Sequence, residues 1–231
     1  MKFIKKAFTL AEVVMVMGII GIVATLTVTN ATKSTDVAEK VAQLRRCDEI
    51  ISAAFAQAVG DYGPLKNWAS TAGSWPTNNE IWTILSSYLK LQKNCKNSTG
   101  CWTNVEYGDT RISSYDGGAN LETSTSHYKG ILPNGASICI NGTAIYVDVN
   151  GKDKGTFRRG DDVFKFYVDS DGVVTPHRPS GGGYGVNDIK NCTRDDGSYC
   201  TAWVLKFGNQ DYMKSCAESK LSWDGAHSCK E

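Results

Sequence analysis

Apolar and polar positions along the chain change their period twice. Positions 13–29, VVMVMGIIGIVATLTVT, carry no charge. With positions 8–11 the run reaches the roughly 20 residues of a membrane-spanning helix. After a polar patch at TKSTD, apolar residues return at Val37, Val41, Leu44, Ile51, Phe55 and Val59. Their spacings of three, four or seven mark one face of a helix. DYGP at positions 61–64 stops it. The pattern predicts one helix from Phe8 to about Val59, ~78 Å long, with some ~30 Å in lipid and an outer half that must pack on a globular body. Lys2, Lys5 and Lys6 precede the run and predict a cytoplasmic N-terminus.

From Gly60 the pattern shifts to aromatics, Gly, Asn and short runs. Ile81, Leu85 and Tyr88 recur at helical spacing and predict a second helix over 78–91. Residues 94–130, rich in Ser, Thr, Asn and Gly, read as a stapled loop with irregular strands. Strands are predicted near 136–140, 143–148, 162–168 and 173–175, with Phe164 and Phe166 on one face and short turns at Asn141-Gly142 and Asp171-Gly172. Turns this short imply antiparallel pairing. TAWVLKF, positions 201–207, reads as a strand or a helical turn. The fold class is α+β: a long N-terminal helix, transmembrane and then amphipathic, packed on an antiparallel sheet with disulfide-stapled loops.

Composition adds the compartment. The formal net charge of +1 over 231 residues makes no case for nucleic-acid binding. All eight cysteines follow the apolar run, which predicts export into an oxidising compartment. Short separations suggest Cys95 with Cys101, Cys192 with Cys200 and Cys216 with Cys229, leaving Cys47 for Cys139, among about 105 connectivities. A zinc site is the rival reading, but no C-x-x-C pair exists and His127, His177 and His227 are scattered.

In DVNGKDKGTFRRGDD, the side chains of Asp148, Asn150, Asp153, Asp161 and Asp162 are hard oxygen donors of the kind that bind calcium. The spacing is not that of an EF-hand, because Gly151 comes too early and Arg159 stands in the place of the terminal acid. The other reading is a solvated turn in which Arg158 and Arg159 neutralise the acids. No cofactor is otherwise implied. Neither G-x-S-x-G nor H-E-x-x-H is present, so the chain reads as no enzyme.

One acid stands apart. Glu12 lies at the mouth of the apolar run, where a carboxylate needs a partner or water. KKAFTLAEVVMVMGIIGIVATL resembles the leader and first helix of type IV pilins and type II secretion pseudopilins, over about 25 residues. The resemblance implies a prepilin peptidase that cuts between Ala7 and Phe8 and methylates the new amine of Phe8, and it makes Glu12 the assembly acid. One departure is Ala7, where the family usually has glycine. The chain then divides into a leader (1–7), a transmembrane part of the helix (8–29), an exported amphipathic part (30–59) and a globular α+β body (60–231), together pilin-like.

The implied function is a structural subunit of a type IV pilus or type II secretion pseudopilus. Its partners are the prepilin peptidase/methyltransferase, other pilin or pseudopilin subunits and an inner-membrane assembly platform. Its place is the inner membrane, single-pass, with the N-terminus cytoplasmic and the body extracytoplasmic, then the periplasm or cell surface after assembly. The alternative is an anchored extracytoplasmic binding or adhesion module, with a ligand held by loops bearing Tyr184, Tyr199, Trp203, Tyr212 and Trp223.

Overall fold

The computed structural model describes positions 10–104, 121–176, 192 and 200–230; the side chains of 10–13, 18–34, 200 and 218 lie outside that description. The chain forms two compact units, Met1–Glu39 and Lys40–Glu231. Helix residues from Lys40 onward therefore belong with the body.

Helix α1 runs Leu10–Tyr62. The expected transmembrane character of the helix over 8–29 is corrected, because among the described residues no helix is long and apolar enough to cross a membrane. The uncharged stretch between Glu12 and Lys33 is interrupted by Thr25, Thr27, Thr29, Asn30 and Thr32, and beyond it come Lys33, Asp36, Glu39 and Lys40. The single-pass inner-membrane placement loses its support with the span.

Within the body, α1 buries the stripe Lys40, Leu44, Cys47, Ile51, Phe55 and Ala58, a 4-3-4-4-3 spacing that keeps one face inward. Helix α2 (Asn78–Tyr88) starts on a capping box: Glu80 N donates to Thr77 Oγ1, and Thr77 N donates to Glu80 Oε2. It buries Ile81, Trp82 and Leu85. TAWVLKF lies in a helix, α3 (Cys200–Phe207), and a last turn of helix, α4, spans Ala217–Lys220.

One antiparallel sheet holds six strands in chain order, β1 (Lys93–Lys96), β2 (Tyr128–Ile131), β3 (Ser137–Asn141), β4 (Ala144–Asp148), β5 (Val163–Val168) and β6 (Val174–Pro176). The β3–β4 register pairs Asn141 with Ala144, so the two-residue turn is Gly142-Thr143, one position later than the sequence suggests. Gly142 supplies the positive φ of 60° that the first turn position of a type II′ hairpin demands.

Registers Ile138↔Val147↔Phe164 and Ile140↔Ile145↔Phe166 put six large apolar side chains on one sheet face. Helix α2 meets that face, with Trp82 6.2 Å from the Tyr128 ring. Cys139, Tyr146 and Val163 point to the other face, into a cluster with Trp102, Leu121 and Phe157. Helix α1 touches the connections on both sides of β5. Lys40 reaches Asp162 just before β5, and Val59 packs against Gly172 in the turn after it.

Candidate functional site

A buried, ion-paired polar group surrounds Lys40 of α1. The β4–β5 connection, 149–162, folds so that its acids point inward. Asp162, wholly buried, accepts hydrogen bonds at Oδ2 from Phe157 N (2.7 Å) and Thr156 Oγ1 (2.8 Å). Asp161 Oδ2 accepts from the same Thr156 hydroxyl at 2.7 Å. The two remaining oxygens take the ammonium of Lys40, 2.6 Å from Asp161 Oδ1 and 2.9 Å from Asp162 Oδ1. Burial opposes the charge on Lys40, but its hydrogen bonds to the two carboxylates and their charges outweigh it and raise its pKa. Gly155 closes the loop: at φ +72°, a Cβ there would stand 2.2 Å from Asn150 Nδ2 and 2.7 Å from Asp162 Oδ2.

Asp148 completes the group without joining the ion pair. It is wholly buried at the end of β4, opposite Ser137 in the β3–β4 register. Its Oδ1 accepts from Asn150 N at 3.2 Å, whereas Oδ2 has no hydrogen-bond partner among the described residues. Burial pushes its pKa up to about 7, against the backbone N–H groups of Asn150 and Gly151, and the charge of Asp162 adds to the rise.

The five oxygen donors named from the sequence are thus separated. Asp161 and Asp162 enclose Lys40, Asp148 lies behind the backbone of Asn150, and Asp153 is exposed beside Lys152 at 2.5 Å. Among the described residues no group of three or more His, Cys, Asp or Glu is placed to hold a metal ion. Between Asp161 and Asp162 an ammonium takes the position a metal cation would need. Lys40 is the residue that sequence reasoning misses, and its signal is positional: it falls four residues before Leu44, on the buried stripe.

Of the cysteines, Cys95–Cys101 and Cys216–Cys229 are disulfides. Cys47 is not bonded to Cys139, which corrects that pairing. Cys47 is a buried thiol on α1 whose Sγ accepts from Asn134 Nδ2 at 3.3 Å. Cys139 points into the Trp102–Tyr146–Phe157 cluster, which no α1 residue joins. Burial pushes the Cys47 thiol up to about 12, against the Asn134 bond. The pairing of Cys192 with Cys200 falls on a side chain outside the described residues, as do Ala7, Phe8 and the side chain of Glu12. The backbone of Glu12 lies in α1.

Near that acid, Val14, Met15, Val16 and Met17 are 62, 70, 53 and 68% exposed. Four successive positions cover a full turn, so this part of α1 has apolar side chains on every side. No family model, curated protein or solved structure matches the chain.

Proposed function

We propose that this protein is a pilin-like structural subunit. It is made as a precursor, cut by a prepilin peptidase between Ala7 and Phe8, methylated at Phe8, and built into a type IV pilus or type II secretion pseudopilus through the N-terminal part of α1. The observation that carries the reading is the turn Val14 to Met17, apolar and exposed all round. A surface helix needs one apolar stripe, and a helix apolar on every side needs cover on every side. Copies of the same segment, packed around one another, supply that cover.

Glu12 then has a partner. The amine created at Phe8, on this subunit or the next, is four positions from Glu12 in the chain, and a carboxylate without such a partner is costly in apolar surroundings. The Cys95–Cys101 and Cys216–Cys229 bridges fit a body that folds outside the cytoplasm, in the periplasm or at the cell surface. Other subunits of the fibre and an inner-membrane assembly platform are the proposed partners. The role is structural, and the only chemistry in it is done to this chain.

Mass spectrometry of the mature N-terminus tests the proposal. The expected species starts at N-methylated Phe8. A chain starting at Met1 in cells with an active prepilin peptidase overturns it. Separately, Glu12→Gln should be stable yet fail to enter fibres, and incorporation at the wild-type level removes the assembly role of Glu12.

A further inference from the structure

The C-terminal segment gathers four rings. Helix α3 supplies Trp203 and Phe207, one turn apart, with centroids at 4.5 Å. The chain after α4 brings Trp223 to 5.2 Å from Trp203 and 5.7 Å from Phe207. His227 stacks on Phe207 at 3.9 Å, with an interplanar angle of 17°. Several constraints hold these rings in place. The Cys216–Cys229 disulfide closes the loop that carries Trp223 and His227. Asn209 accepts from Trp203 Nε1 at 3.1 Å and donates to the His227 carbonyl at 3.0 Å.

A cation already sits on this assembly. The ammonium of Lys206 lies 4.9 Å from the Phe207 centroid and 5.9 Å from that of Trp223. Both distances fall where the negative face of a ring attracts a positive charge. Among the described residues no carboxylate pairs with Lys206, although its side chain is exposed and long enough to reach water. The ring faces therefore attract a cation without help from an acid.

We propose that Phe207 and Trp223 form a binding site for an alkylammonium group, with Lys206 as its resident occupant. The rings are fixed by the disulfide and by Asn209, whereas the lysine stem is flexible, so the occupant leaves at lower cost than the walls rearrange. The chemistry selects against hard metal ions, which need oxygen ligands, and favours weakly hydrated organic cations. Such a group is a choline-type quaternary ammonium headgroup. The proposal does not depend on the fibre reading.

The test uses the full chain and its Lys206→Ala variant, with the indole resonance of Trp223 followed during titration. The probes are choline, its uncharged isostere 3,3-dimethylbutanol, and Nα-acetyl-lysine amide. Lys206→Ala should bind choline about fivefold or more tightly than the isostere, and more tightly than the wild type does. Phe207→Leu, with an unchanged unfolding midpoint, should lose that preference. Choline should also bind more tightly than the lysine amide, and the reverse overturns the choice of a quaternary ammonium. Equal binding of choline and the isostere, or no movement of the Trp223 resonance in Lys206→Ala, overturns the proposal.

Discussion

Lys40 and Asp162 form an ion pair at 2.9 Å, with side chains 6% and 0% exposed, between residues 122 positions apart in the chain (162 − 40). Removing one member leaves the other charge buried without its partner. Lys40→Met should therefore destabilise the body by about 3–5 kcal/mol, and pairing it with Asp162→Asn should recover part of that loss. Urea unfolding of the four chains in the cycle measures it. Additive losses would mean that the two residues are not coupled.

Asp148 gives the body a pH dependence of opposite sign to ordinary acid denaturation. Its folded pKa of about 7 lies above the roughly 3.9 of an unfolded aspartate, so the unfolded chain releases the proton first as pH rises. The contribution is fully present below about pH 4, falls between about pH 4 and 7, and is then lost, a change on the order of 4 kcal/mol. Wild type and Asp148→Asn should therefore diverge across that window. Parallel stability curves would show that Asp148 titrates normally in the fold.

Gly172 joins α1 to the sheet by close approach. Its φ is +87°, and a Cβ there would stand 2.4 Å from Val59 Cγ2. Gly172→Ala should cost about 1–3 kcal/mol by overpacking, plus the strain of a left-handed alanine. Val59→Ala in the same chain should relieve the steric part only. Melting temperatures of the two single variants and the double variant separate these contributions.

Cys47 should be inert in the folded protein. Burial and a thiol pKa of about 12 leave almost no thiolate at pH 8. A thiol reagent applied to the native chain should leave Cys47 unlabelled, and the same reagent in denaturant should label it. Peptide mapping reads the site directly. Rapid native labelling would mean that α1 opens away from Asn134.

The elements legible in the sequence are those with one buried face. Leu44, Ile51 and Phe55 repeat at helical spacing because only one side of α1 is covered. The central strands give a weaker signal, since Ala144, Ile145, Tyr146, Val147 and Asp148 are all buried and alternation disappears when both faces are covered. Strand β1, Lys93–Lys96, buries only Cys95 and has an irregular register with β2, so no hydrophobic pattern announces it.

The polar interior is the least legible part. Lys129 looks like a surface residue in the sequence, yet it is wholly buried and donates to the carbonyls of Leu121 and Ser124 at 3.0 and 2.9 Å. The acids of the β4–β5 connection stand out as a cluster, but their partners lie elsewhere: Lys40 is on α1, more than a hundred residues upstream. Spacing within a segment carries no information about a partner from another element. The apolar N-terminal run misleads for a related reason, because its count of residues takes in positions on both sides of Glu12.

The strand order β1-β2-β3-β4-β5-β6 also sets a timetable. Every neighbouring pair is consecutive in the chain, but the loops to close differ: two residues join β3 to β4, whereas residues 97–127 separate β1 from β2 and residues 149–162 separate β4 from β5. The Lys40–Asp161 contact, 121 residues apart, must wait until β5 is in place. The hairpins closed by short turns are therefore expected to form before α1 is seated. Until then, the stripe of α1 from Lys40 to Ala58 has no sheet to bury it.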